Sequence, residues 1–74
     1  MFKQYTTTQL RHEVGEVKVR VIEAAQELPP PTINEVMDSM ERLFDERSIR
    51  SGVSEAIASG QVGIQGGNTL VITN

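Results

Sequence analysis

Apolar positions fall into four blocks whose spacing changes along the chain. In the first, Leu10, Val14, Val17, Val21, Ala24, Ala25 and Leu28 recur at threes and fours, which places them on one face of a helix and predicts that element over about 8–26. A strand over 16–23 competes with it. There Val17, Val19 and Val21 alternate with Lys18, Arg20 and Ile22, β-branched residues favour extended backbone, and Gly15 weakens a helix by roughly 1 kcal/mol relative to alanine. The helical repeat accounts for more residues and is the reading adopted. Pro29, Pro30 and Pro31 then stop the element, since each lacks an amide donor and restricts the residue before it.

A second helix is predicted over about 33–43. Thr32 and Glu35 form a capping-box pattern at its start, and Ile33, Val36, Met37, Met40 and Phe44 supply a buried stripe. Asp45 is placed to cap a third helix over about 46–59, in which Ile49, Val53 and Ile57, four apart, are expected to face Val36, Met40 and the first helix. Gly60 ends it. Val62 and Ile64 are separated from Leu70 and Ile72 by Gly66, Gly67 and Asn68, residues that accept the positive φ of a tight turn. A hairpin over about 61–73 follows, with 62–65 antiparallel to 69–72. The fold class is therefore α+β, mainly α, three helices followed by a short antiparallel hairpin, in one domain spanning 1–74.

Length limits what this fold can bury. A chain of 74 residues covers only roughly 60% of the surface its unfolded form exposes. Aromatic side chains are confined to Phe2, Tyr5 and Phe44, so Val, Ile, Leu, Met and Ala must fill a small core. There is no cysteine, hence neither a disulfide nor a thiolate metal site, and the lone His12 cannot build a zinc centre by itself. No metal or cofactor is expected. The sequence holds neither an apolar run of the roughly 20 residues that span a bilayer nor a secretory leader, so a soluble, cytoplasmic protein is expected.

The net charge of −3 is unevenly distributed. Residues 1–22 carry four basic and two acidic side chains, residues 23–46 one and seven, and residues 47–74 two and one. An acidic average opposes nonspecific attraction to polyanions but leaves room for a small basic face. On the third helix Arg47, Arg50, Ser51 and Ser54 fall away from the apolar stripe, with Ser48 near its amino-terminal end. Lys3, Arg11, Lys18 and Arg20 do not share one helical face and read as dispersed charge.

The order of elements resembles the winged-helix branch of the helix-turn-helix superfamily. "LPPPTINEVMDSM" looks like the loop and second helix, "DERSIRSGVSEAIASGQV" like the third helix and its exit, and "GIQGGNTLVIT" like a short wing. The resemblance covers residues 8–73. It implies that the third helix enters the major groove of double-stranded DNA, which on this chain assigns the contacts to Arg47, Ser48, Arg50, Ser51 and Ser54. Arginine suits that task because its planar fork pairs with guanine or phosphate. A small transcriptional or recombination regulator of a bacterium, phage or mobile element is the function implied.

Two features pull the other way. Glu35, Asp38 and Glu41 form an acidic edge on the second helix, and the wing tip, Gln65 to Thr69, carries no cation. They predict weak binding by a monomer, with a homodimer or larger assembly needed for specificity. They also support a rival reading, a protein-interaction module whose partner binds Glu35, Asp38 and Glu41. An enzyme is not expected. The sequence contains no nucleophile elbow, P-loop or dinucleotide fingerprint, and no helix follows Gly66 and Gly67 to make them a phosphate cradle.

Overall fold

The computed structural model describes residues 7–73, in which three helices, α1 (Thr7–Ala25), α2 (Ile33–Met40) and α3 (Glu46–Ala58), precede strands β1 (Val62–Gln65) and β2 (Thr69–Ile72). Lys3, Phe2 and Tyr5 lie outside the described residues. In α1 the side chains of Val14, Val17, Val21 and Ala25 are buried, whereas Val19 is 54% exposed. A strand would have put Val19 on the same face as Val17 and Val21, so this division follows the 3.6-residue period. The helix closes with Gln26 N–H donating to Glu23 O and Glu27 N–H to Ala24 O, both at 3.1 Å, the i to i−3 tightening usual at a helix end. The prolines follow directly.

The capping box opens α2. Thr32 N–H donates to Glu35 Oε1 at 2.9 Å, and Glu35 N–H donates to Thr32 Oγ1 at 3.2 Å, so two amides that lack helical partners are satisfied reciprocally. Val36 and Met40 are buried while Ile33, Met37 and Phe44 pack against the core from its edge. The helix ends at Met40, short of the expected boundary near residue 43. Met40 O accepts from both Leu43 N–H (2.9 Å) and Phe44 N–H (3.1 Å), which tightens the chain into turns, brings Phe44 onto the core and leaves Leu43 57% exposed.

Asp45 then caps α3 through its side chain, which accepts from Arg47 N–H at 2.8 Å. The buried face of α3 consists of Ser48, Ile49, Gly52, Val53 and Ala56, which corrects the expected stripe at one end. Ile57 is 39% exposed. Steps of four residues advance roughly 40° around a helix, so Ile57 has rotated about 80° from Ile49, whereas Ala56, seven residues on, is displaced only about 20°. Gly52 lets the two helices touch. A Cβ there would lie 2.9 Å from the Val14 carbonyl oxygen and closer still to the Val17 side chain.

Gly60, at φ +81°, takes the chain out of α3. In the hairpin Val62 pairs with Ile72, Gly63 with Val71, Ile64 with Leu70 and Gln65 with Thr69, the expected register. Gly66 (φ +58°) and Gly67 (φ +92°) make the turn. On the apolar face Val62 and Leu70 are buried, whereas Ile64 and Ile72 remain exposed. A further rung was not legible beforehand. Ile33 N–H donates to Asn68 O at 2.7 Å and Leu70 N–H to Pro31 O at 3.0 Å, so the entrance to α2 pairs with the start of β2 around a Thr32–Thr69 bridge. The core gathers Val17, Val21, Ala25, Val36, Met40, Ile49, Val53, Ala56, Val62 and Leu70 from all five elements. Among the described residues no helix is long and apolar enough to cross a membrane.

Candidate nucleic-acid interface

α3 is anchored on one side and open on the other. Its buried face meets α1 through small residues, Ser48, Gly52 and Ala56, spaced four apart. Its opposite face carries Arg47, Arg50, Ser51 and Ser54, all exposed. Arg47 Nε lies 3.3 Å from Asp45 Oδ1 and Arg50 Nη2 lies 2.9 Å from Glu46 Oε2. Both pairs sit in water, where such contacts contribute at most about 1 kcal/mol. Either guanidinium can therefore exchange its carboxylate for a phosphate or a base edge at small cost, though the carboxylate left behind would face that ligand.

Ser48 does not belong to this face. It has no exposed surface, and its Oγ–H donates to Glu13 Oε1 on α1 at 2.9 Å. The same carboxylate oxygen accepts from Asp45 N–H at 3.3 Å. Glu13 thus ties the first turn of α3 to α1, and Ser48 is removed from the candidate contacts because no ligand can reach it. The role of Glu13 escaped the sequence reading. The available signal was the spacing of Ser48, Gly52 and Ala56, which marks a helix face built for close approach and places a hydroxyl where a partner must be found.

The acidic edge divides. Residues three apart step back roughly 60° around a helix, so Glu35 and Glu41 are about 120° apart. Glu35 lines a cleft between α1 and α2 with Glu23, Glu27 and Arg20, whereas Asp38 and Glu41 line a groove between α2 and α3. Arg20 sits 5.4 Å from the centroid of Phe44, a cation–π contact rather than merely dispersed charge. His12 Nε2 lies 3.0 Å from Glu16 Oε1 on the exposed side of α1. The residues of the hairpin turn, Gly66 to Asn68, are exposed and offer backbone and amide groups only. No group of three His, Cys, Asp or Glu side chains among the described residues could hold a metal ion.

No family model, curated protein or solved structure matches this chain.

Two of its carboxylates are held below the usual carboxylate range. For Glu35 the main cause is the Thr32 backbone amide, followed by the Thr32 hydroxyl, with burial opposing weakly. For Asp45 it is the backbone amide of Arg47, opposed by burial and aided by the Arg47 side chain. A carboxylate whose folded value is depressed stabilises the fold fully above its unfolded value, and this stabilisation disappears as pH falls through the folded one. Glu35→Gln removes one such titration while keeping an acceptor for Thr32. Its urea midpoint should consequently drop less than that of the parent between about pH 7 and about pH 3. Parallel midpoint curves would mean that this cap does not respond to acid.

Proposed function

We propose that this protein is a small winged-helix DNA-binding domain that acts in gene regulation, with α3 as its reading helix. One observation carries the reading. Two arginines and two serines, Arg47, Arg50, Ser51 and Ser54, share the outward face of a helix whose other face is locked to α1. The order of three helices and a hairpin supports it, because in this arrangement a helix followed by a wing forms a convex surface that fits the major groove. Arginine provides forked donors to guanine or phosphate, and serine supplies short-range donors and acceptors.

The same residues set the strength of binding. With two cations on α3 and none at the hairpin tip, one molecule makes few phosphate contacts, and two copies on adjacent half-sites would supply the remainder. A titration of ¹⁵N-labelled protein with a mixed-sequence DNA duplex at low salt tests the proposal. Amide shifts should concentrate on residues 47–59, and raising the salt should reverse them. If no duplex over a wide range of sequences shifts these amides, the DNA reading is wrong and a protein partner takes its place.

A further inference from the structure

The groove between α2 and α3 has a different character from the arginine face. Met37, Phe44 and Ile49 line it, with Asp38, Glu41 and Glu46 at its rim and Asn34 and Arg50 completing it, around a volume of about 580 Å³. Ile49 is buried and belongs to the core, while Met37 and Phe44 are only half-covered. The apolar side is therefore continuous with the interior and partly open to water. The turn that contributes Glu41 and Phe44 also holds Leu43 out in solvent.

Charge selects among occupants. Three carboxylates and one guanidinium line the groove, and that guanidinium, Arg50, already pairs with Glu46 at 2.9 Å. A phosphate backbone would be repelled there. A second copy of this chain is less well matched, because the three cations of α1, Arg11, Lys18 and Arg20, are offset by three carboxylates on the same helix, Glu13, Glu16 and Glu23. A segment with one or two large apolar side chains flanked by lysine or arginine fits both features, since the apolar residues would cover Met37 and Phe44 while the cations face Asp38, Glu41 and Glu46.

We propose that the α2–α3 groove docks a cationic amphipathic helix of another protein, anchored on Met37 and Phe44 and oriented by Asp38, Glu41 and Glu46. This site adjoins the arginine face and shares Arg50 with it, but its rim of carboxylates selects a ligand of the opposite charge to DNA.

The probe is a synthetic peptide of leucine and lysine in helical spacing, about 18 residues or five turns long, titrated into the full ¹⁵N-labelled chain. Shifts should cluster at residues 34–50. The variant Asp38→Lys/Glu41→Lys should weaken binding by about tenfold or more, whereas Glu23→Lys/Glu27→Lys, an equal charge change in the α1–α2 cleft, should alter it by less than about twofold. Replacing the leucines of the peptide by alanine should also abolish the shifts. If both charge variants lose affinity equally, the attraction is unspecific and the site is refuted. If sedimentation instead finds a dimer that Asp38→Lys/Glu41→Lys dissociates, the occupant is a second copy and the proposed partner is wrong. Among the described residues the carboxylates of Asp38 and Glu41 are exposed and make no hydrogen bond or ion pair, so retained amide dispersion in that variant separates lost docking from lost folding.

Discussion

Arg47→Ala/Arg50→Ala should reduce affinity for duplex DNA by roughly 2 to 6 kcal/mol, taking about 1 to 3 kcal/mol for each good contact. Both side chains lie in solvent, and their pairs with Asp45 and Glu46 are surface ones, so the variant should unfold at nearly the parent temperature. The Asp45 cap survives, because it accepts from the backbone amide at position 47 and not only from the guanidinium. Binding should also decline less steeply with salt, by roughly 0.9 in the logarithmic slope for each phosphate contact removed. Replacing Glu35, Asp38 and Glu41 by lysine should act in the opposite sense, strengthening DNA binding. Fluorescence anisotropy at several salt concentrations measures the affinities and the slope, and a thermal melt measures the stability. A double variant as tight as the parent would sink the assignment of α3 as reading helix.

The same substitution should have opposite effects at two glycines. At Gly15 a Cβ would meet nothing within 4 Å, so alanine should stabilise the fold by about 1 kcal/mol through helix propensity alone. At Gly52 the added carbon meets the Val14 carbonyl oxygen at 2.9 Å and crowds Val17 even more. A side chain can rotate aside, but a backbone oxygen in the middle of α1 cannot do so without moving the helix. Gly52→Ala should therefore destabilise by about 1 to 3 kcal/mol despite its better propensity, and Gly52→Leu by more. At about 0.05 to 0.15 kcal/mol per residue, a domain of this length has roughly 4 to 11 kcal/mol in reserve. Gly52→Leu should then populate unfolded chains at room temperature. Urea denaturation decides it: if alanine raises the midpoint at both positions, the helices do not touch at Gly52.

The parts of the fold that local rules govern were legible. Thr32 and Glu35 are three apart and make their reciprocal bonds, Asp45 caps as expected, and the hairpin register follows from four alternating apolar residues around two glycines. Positions set by two distant elements were not. Ser48 reads as an exposed polar residue until Glu13 is brought beside it. Ile57 continues a spacing of four, but the helix has turned it outward. The pairing of Pro31 and Ile33 with the hairpin was hidden by the prolines, which advertise missing donors, although this rung needs only a carbonyl from Pro31 and one amide from Ile33. At the candidate interface, the outward placement of Arg47, Arg50, Ser51 and Ser54 follows from helix geometry. What they touch depends on a partner that local periodicity does not encode.

That rung also sets an order of assembly. During synthesis α1, α2 and α3 can all leave the ribosome while the Ile33 amide still awaits Asn68, about 35 positions later. The entrance to α2 is thus a latch fastened by the last strand, and closing it carries the entropy of a long loop, which grows only as about (3/2)RT ln n. When the latch opens in the finished protein, both of its amides are released at once. Ile33 and Leu70 should therefore exchange their amide hydrogens at matching rates, faster than the interior of α3, so that the hairpin and the start of the second helix behave as one unit of local unfolding.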